Sequence, residues 1–310
     1  MDVVLGITAP IFLLILLGFL GVRFQLLPKE ALPALSRFVL YFALPAVMVT
    51  KISAMDMGVL LNGAYLSVYA IGGLTTFFIT VVLAQYVFKA DKVAASVTGI
   101  GTMMPNSSFI GFPILLQFLE GHVAQAFAMS LMVENIVFLP IALVFTEMMA
   151  NQKSGLGKQM MIKVAKRIVT NPIILSVFVG VMMSATGVHF PEFVSKGLGL
   201  LAQGAAPTAL FVIGGSLVGV AIRGSKLRIG LVAVMKLVCF PVVVFLCLGL
   251  FPSMPQDLRV AVVVFAAMPM FSIYPIIGGE YGQRSFCASS LLATTVCSFV
   301  TISLLLKWVA

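Results

Sequence analysis

MPNSSFIGFPI, residues 104–114, places two prolines, an asparagine and two serines inside an otherwise apolar run. Pro105 and Pro113 each remove a backbone N–H donor and clash with the preceding helical turn, so a regular helix is interrupted here. In hydrocarbon the freed carbonyls must find partners, and such a break is tolerated only where protein or a water-filled cavity surrounds it. The segment therefore predicts a helix that is broken at membrane depth.

The composition is that of a membrane protein. Of the 310 residues, 61% are hydrophobic and 9% are charged, and the mean hydropathy is +1.16. Soluble domains are about half apolar and about a quarter charged. Uncharged stretches such as 60–87 and 260–279 reach the ~20 residues that a helix needs to cross a bilayer. We therefore predict an all-α integral membrane protein.

Apolar runs predict ten transmembrane spans. The first run follows Asp2 and lacks a small-residue cleavage site, so we expect it to be a retained span and not a signal peptide. The predicted spans lie near 3–22, 31–51, 60–87, 93–118, 123–149, 168–187, 193–221, 229–251, 258–280 and 285–306.

The basic residues predict the orientation of these spans. Of the 19 Lys and Arg residues, thirteen lie in loops after odd-numbered spans, and four lie in the loops after even-numbered spans or in the C-terminal tail. The positive-inside rule then places the odd-numbered loops in the cytoplasm and both termini on the external, periplasmic side of the inner membrane. The net charge of +9 is accounted for by orientation, and no nucleic-acid partner is expected.

Three prolines recur at one spacing. Pro10, Pro45 and Pro113 are each followed 162 positions later by another proline, at 172, 207 and 275, and TAPIFLLILLG (8–18) matches TNPIILSVFVG (170–180). We interpret this as a duplication; the alternative is a chance recurrence. The predicted units are a first repeat over 1–150, a cytoplasmic linker over 151–167 and a second repeat over 168–310. Five spans per repeat invert the second one, an architecture that recurs in secondary transporters.

The ninth predicted span contains a second break, at Pro269 and Pro275. Paired interruptions in corresponding spans point to a transporter's binding site. A half-helix that begins in the membrane presents unpaired N–H groups and a partial positive charge, which suit an anion. The alternative is that both spans are only kinked packing helices. The predicted substrate-binding residues are Pro105, Asn106, Ser107 and Ser108 at the first, more polar break and Pro269, Met270, Phe271 and Ser272 at the second.

SRFVLYFALP (36–45) and PNSSFIGFP (105–113) resemble the auxin efflux carrier family, which includes plant auxin exporters and bacterial malonate-type transporters. The resemblance implies ten helices in two inverted five-helix repeats. It also implies that helices 4 and 9 break and cross within a transport domain beside a scaffold domain, as in bile-acid sodium symporters. Asn106 and the two prolines at 105 and 269 would then lie at the binding site. Met270 stands where the plant exporters have an asparagine, which argues against auxin as the substrate.

Two residues with charged side chains lie well inside predicted spans, away from the span ends. Glu134, next to Asn135, falls near the middle of the fifth span, where a charge costs at least ~2.5 kcal/mol. We consider proton or cation coupling through Glu134 and, as alternatives, a buried structural pair or a misplaced span. Lys236 lies about seven residues into the eighth span. It either pairs with a substrate carboxylate or an acidic residue, or extends its ammonium to the cytoplasmic face.

The function predicted from these features is secondary active transport of a small organic anion, a mono- or dicarboxylate, by alternating access with H⁺ or Na⁺ as coupling ion. The alternatives are a sodium-coupled carrier like the bile-acid symporters and a non-transporting scaffold or receptor. No hydrolase or nucleotide-binding motif is present, so we expect no enzyme, catalytic residue or cofactor. The cysteines and histidines lack metal-ligand spacing, so no metal is expected. The predicted partners are the anion, the lipid bilayer and a second copy of the chain in a homodimer.

Overall fold

The computed structural model describes residues 2–55, 61–119, 121–150, 162, 166, 169–219 and 225–309, so most of the predicted linker over 151–167 lies outside the described residues. The described chain is helical. Its helices are α1 (Asp2–Arg23), α2 (Lys29–Ile52), α3 (Gly63–Tyr86), α4 (Lys92–Met103), α5 (Ser107–Phe118), α6 (Val123–Ala150), α7 (Pro172–Thr186), α8 (Glu192–Ser216), α9 (Lys226–Leu250), α10 (Gln256–Ala267), α11 (Tyr274–Glu280) and α12 (Arg284–Val309).

Six of the described helices are long and apolar enough to cross a membrane: α2, α3, α6, α8, α9 and α12. They contain 24 to 28 residues, and 24 residues of α-helix extend over ~36 Å, more than the ~30 Å of a bilayer's hydrocarbon. Large apolar side chains such as Leu200, Leu246 and Trp308 are exposed on their outer faces, where lipid would cover them. The prediction of a helical, multi-pass membrane protein is confirmed, and the count of ten spans stays a prediction.

Two of the predicted spans are interrupted. The fourth divides into α4 and α5, which are separated by Met104, Pro105 and Asn106. The ninth divides into α10 and α11, with residues 268–273 between them. Neither α4 nor α10, at 12 residues each, spans ~30 Å of hydrocarbon alone.

The helices pack as two groups. α1 lies along α8, and α2 packs against α7 and α8, so these four helices form one group. In the other group α3 packs against α4 and α9, α10 against α6 and α9, and α12 against α9 and α11. The second group has an aromatic core in which the rings of Tyr69, Phe138 and Phe240 contact one another. Each group combines helices from both ends of the chain.

Two glycines let α1 and α8 approach closely. A Cβ atom on Gly18 would overlap the backbone carbonyl of Phe211, and one on Gly214 would overlap the backbone of Ile15. Small residues permit this kind of close helix packing in membranes, where dispersion contacts replace the hydrophobic effect as the driving force.

Gly214→Ala is therefore expected to destabilise the protein, because the clash is with backbone and the two helices must separate. An overpacked contact of this kind costs about 1–3 kcal/mol, which lowers the melting temperature by roughly 2–10 °C. Thermal unfolding of the purified protein in detergent measures the change. Gly230→Ala is the matched control because a Cβ there meets no atom within 4 Å. Equal melting temperatures for the two variants would contradict the close packing of α1 on α8.

Candidate functional site

The two interrupted segments cross each other. Pro105 and Met270 form an antiparallel bridge, in which the backbone N–H of Asn106 donates to the carbonyl of Pro269 at 2.7 Å and the N–H of Phe271 donates to the carbonyl of Met104 at 3.1 Å. Backbone groups left without helical partners must be satisfied inside a membrane. Here each break supplies partners for the other.

Asn106 links the two crossing segments and caps the N-terminus of α5. Its Oδ1 accepts a hydrogen bond from the N–H of Phe109 at 3.2 Å, which caps the helix, and its Nδ2 donates to the hydroxyl of Ser272 at 3.2 Å. The side chain is 4% exposed. Asparagine is among the preferred N-cap residues because its side-chain oxygen satisfies a free N–H of the first turn.

The first turn of α5 keeps donors available. The backbone N–H groups of Ser107 and Ser108 have no hydrogen-bond partner within the described part of the chain. Unpaired N–H groups at a helix start, together with the helix dipole, favour a negatively charged ligand.

Glu134 is linked directly to this helix start. Its Oε1 accepts hydrogen bonds from the Ser107 hydroxyl at 2.5 Å and from the Tyr69 hydroxyl at 2.9 Å. The side chain is 4% exposed and lines a cavity. A change in the protonation of Glu134 would therefore act on a residue of the first turn of α5.

The cavity has a volume of about 300 Å³ and lies between the two groups of helices. The crossing and α6 supply most of its residues, and α2 and the start of α7 supply the rest. The lining residues are Leu40, Tyr41, Met104, Pro105, Asn106, Ser107, Ser108, Phe109, Leu131, Glu134, Asn135, Thr170, Asn171, Pro172, Ile173, Phe271, Ser272 and Ile273.

A second helix start reaches the same cavity. Asn171 caps α7, because its Oδ1 accepts hydrogen bonds from the N–H groups of Ile173 at 2.9 Å and Ile174 at 3.3 Å. Thr170 and Pro172, on either side of Asn171, also line the cavity. Two capped helix N-termini therefore face one cavity, and both ends carry partial positive charge.

The structure brings together most of the residues that the sequence singled out. Eight of them line the cavity: Pro105, Asn106, Ser107, Ser108, Glu134, Asn135, Phe271 and Ser272. Asn135 also donates through Nδ2 to the carbonyl of Leu131 at 2.9 Å. Pro269 and Met270 are not among the lining residues and contribute to the crossing through their backbone.

Lys236 lies elsewhere. Its side chain is fully buried, its Nζ donates to the carbonyl of Ala266 at 2.9 Å, and the ammonium lies 4.4 Å from the centroid of the Phe240 ring. Lys236 does not line the cavity, and its ammonium does not reach the surface, in contrast to the alternative in which the side chain extends to the cytoplasmic face.

Sequence reasoning missed four polar residues: Tyr41, Thr170 and Asn171, which line the cavity, and Tyr69, which donates to Glu134. A local signal existed for one of them, since Asn171 followed by Pro172 is a helix-start pattern, an N-cap residue with proline at the first helical position. Tyr41 and Tyr69 have no local signal, because each is an aromatic residue within an apolar helix.

The described residues contain no group of three His, Cys, Asp or Glu side chains that could hold a metal ion. The four cysteines are free, and none lines the cavity. The chemistry available at the site is therefore that of hydrogen-bond donors, helix dipoles and one carboxyl group.

The chain is similar in sequence to membrane transport proteins. The family model described as "Membrane transport protein" matches residues 3–306. The chain is 28% identical to the "Putative malonate transporter" of Rhizobium meliloti (strain 1021), over 97% of this chain and 94% of that protein. It is 22% identical to the "Uncharacterized transporter YfdV" of Escherichia coli (strain K12), over 96% and 94%. It is 25% identical to the "Lysosomal cholesterol signaling protein" of Mus musculus, over 67% of this chain and 25% of that protein.

Proposed function

Because the chain belongs to the membrane transport protein family, which includes the auxin efflux carriers, we propose that it is a secondary carrier of a small carboxylate that binds in the cavity at the crossing. Membership of this family makes the chain a membrane transporter and not an enzyme. The substrate class, the mechanism and the coupling are the proposed part.

The observation that carries the proposal is the convergence of two helix N-termini on one cavity. At α5 the donors are the Ser107 and Ser108 N–H groups, and at α7 the helix start is capped by Asn171. No Lys or Arg side chain is among the lining residues. An anion would therefore be held by backbone dipoles and neutral side chains, which bind carboxylates without the cost of burying a cation.

The presence of two helix starts on one cavity favours a substrate with two carboxylates. One carboxylate would lie at the start of α5, beside Asn106, and the other at the start of α7, beside Asn171. A cavity of about 300 Å³ lies at the lower end of the range typical of small-molecule sites. The relative named for malonate supports the same class, since malonate is a short dicarboxylate.

Transport would proceed by alternating access. The group α1, α2, α7 and α8 would be the scaffold domain, and the group containing the crossing would move against it, since the cavity lies between them. We also propose that ten spans form two inverted five-helix repeats, 1–150 and 168–310, joined by the linker 151–167, with both termini on the periplasmic side of the inner membrane. The two breaks, 164 positions apart, and the repeated prolines support this arrangement.

Glu134 would couple transport to protons. An ionised carboxylate in the cavity repels a substrate anion, whereas a protonated one does not and can donate a hydrogen bond. Anion binding and protonation of Glu134 would then favour each other, as linkage requires. The carrier would move the anion together with a proton.

Counterflow tests the function. Proteoliposomes loaded with unlabelled malonate are diluted into trace labelled malonate, and the assay is repeated with succinate and acetate. We expect transient accumulation of labelled dicarboxylate, because a carrier exchanges substrates across the membrane. A channel gives uptake without trans-stimulation, and a receptor or scaffold gives no uptake. Either result with every carboxylate tested would reject the proposal.

Asn171→Asp is expected to weaken dicarboxylate transport while leaving stability unchanged. Aspartate retains the oxygen that caps α7, but it removes an amide donor and adds a negative charge to the cavity. We expect the half-saturating malonate concentration to rise by about tenfold or more, with a smaller rise for a monocarboxylate, because one charged contact contributes about 1.5–3 kcal/mol. Initial rates over a concentration series measure it. Asn171→Ser, which keeps a capping oxygen without a charge, is the control. An equal rise in the half-saturating malonate concentration in both variants would contradict a role for charge at the start of α7.

A further inference from the structure

We propose that Lys236 is a built-in cation, whose ammonium fills the place at the C-terminal end of α10 that a free sodium ion would otherwise occupy, so that the carrier does not need sodium. The inference rests on the proposed function, because it specifies the coupling ion of the same carrier. Its evidence lies outside the cavity, in the contacts of one buried lysine.

The break in α10 leaves a carbonyl that needs a partner. In a continuous helix the carbonyl of Ala266 would accept from the N–H four residues later, on Met270. The helix ends at Ala267, and Met270 lies instead beside Pro105 in the crossing. The Nζ of Lys236 donates to the Ala266 carbonyl at 2.9 Å. The lysine therefore satisfies a backbone group that the break has exposed.

The surroundings of this ammonium favour a positive charge. The C-terminal end of α10 carries the negative end of a helix dipole. The face of the Phe240 ring lies 4.4 Å from Nζ and attracts a cation through its quadrupole. No direct ion pair joins Lys236 to Glu134 in the described chain.

The corresponding end of α4 has no such cation among the described residues. There the Thr102 hydroxyl lies within hydrogen-bond distance of the Thr80 hydroxyl, at 3.0 Å, and of the carbonyl of Gly99, at 2.9 Å, and donates its one proton to either. Thr80 belongs to α3, which packs against α4 as α9, the helix of Lys236, packs against α10. The two ends therefore differ: an ammonium donates to a carbonyl freed at the end of α10, whereas neutral hydroxyl groups lie near the end of α4.

In transporters built on broken helices, the C-terminal ends of half-helices and their unwound carbonyls coordinate the coupling sodium ion. Such a site is a set of carbonyl oxygens with a negative dipole end. At α10 a covalently attached ammonium already occupies this position, and like charges exclude a second cation from the same small space. Sodium would have no site to bind there, which leaves the proton at Glu134 as the coupling ion.

Thermal unfolding of the full chain in detergent tests the inference without requiring a known substrate. The wild-type protein is compared in sodium chloride and in N-methyl-D-glucamine chloride at equal ionic strength. Lys236→Ala removes the equivalent of n-propylammonium, so that ion is the probe for refilling the site, and 1-propanol is its uncharged counterpart. Lys236→Met keeps the volume without the charge, and Lys51→Ala, at an exposed lysine of α2, is the matched control.

We expect the wild-type melting temperature to be the same in both salts. Lys236→Ala and Lys236→Met should melt lower by roughly 5 °C, and Lys51→Ala should be unchanged. Propylammonium should restore at least half of the decrease in the melting temperature of Lys236→Ala, and 1-propanol should restore none of it. The melting temperature of Lys236→Met should not change with either compound, because the methionine side chain fills the site.

Specific stabilisation of the wild-type protein by sodium overturns the inference. So does a Lys236→Met protein as stable as the wild type, or equal rescue of Lys236→Ala by propylammonium and 1-propanol. If Lys236→Ala does not fold, the wild-type comparison and Lys236→Met decide the result. The proposed function fails by a separate observation, the absence of carboxylate counterflow in the wild-type protein, which leaves these melting temperatures unaffected.

Discussion

Asn106→Ala is expected to lower carboxylate exchange by roughly 10- to 100-fold. The substitution removes the cap of α5 and the donor to Ser272 in one step, at the point where the two breaks cross. Each hydrogen bond between neutral groups contributes about 0.5–1.5 kcal/mol, two of them are lost, and a factor of ten corresponds to 1.4 kcal/mol. Counterflow of labelled malonate in proteoliposomes, at matched protein content, measures the change.

A second asparagine provides the control for Asn106. Asn62 caps α3 in the same way, its Oδ1 accepting from the N–H of Tyr65 at 2.9 Å, and it does not line the cavity. Loss of either cap costs about 1 kcal/mol of stability. Asn62→Ala should therefore lower the melting temperature about as much as Asn106→Ala while keeping exchange. If both variants keep exchange, the crossing is not the binding site.

Glu134→Gln is expected to abolish the dependence of uptake on a proton gradient. Glutamine still offers an oxygen to the hydroxyls of Ser107 and Tyr69, so the local hydrogen bonds are retained, but it cannot release or take up a proton. Exchange at equal pH on both sides should persist, because the amide resembles the protonated acid. Uptake of labelled malonate with and without an inwardly directed pH gradient measures the effect.

Glu147 is the matched control for Glu134. Its Oε1 accepts a hydrogen bond from the Tyr281 hydroxyl at 2.9 Å, the same kind of contact, but Glu147 lies near the end of α6 and does not line the cavity. Glu147→Gln should retain gradient-driven accumulation. Accumulation that continues in Glu134→Gln, or that is lost equally in both variants, would exclude Glu134 as the coupling residue.

Local rules account for the parts of the fold that the sequence predicted. Long uncharged runs require a membrane, and the helices that precede Pro105 and Pro269 end two residues before each proline, which lacks an N–H. The same local reasoning identified Asn106 as a candidate binding residue, and the preference of asparagine for a helix start is a property of one side chain and its next three residues. Asn171, followed by Pro172, carried the same signal and was missed.

Contacts between distant parts of the chain were not predictable in this way. Lys236 and Ala266 are 30 positions apart, and nothing in either segment indicates that an ammonium meets the end of α10. Likewise Tyr69 reaches Glu134 from α3, 65 positions away, although it lies in a largely apolar helix with no local sign of this contact. Such pairs depend on which helices are neighbours, and apolar faces of similar composition can pack in many combinations.

The sequence by itself determined that the chain lies in a membrane, that two of its helices break there, and that the first break carries the polar side chains. Only the tertiary structure decided that the breaks satisfy each other's backbone, that the start of α7 forms part of the cavity, and that Lys236 is directed at α10 and not at the cavity. The physical reason is the distance along the chain over which each interaction acts. A missing donor or a capping side chain acts within one helical turn, whereas the partner of a buried polar group is selected by the packing of the whole bundle.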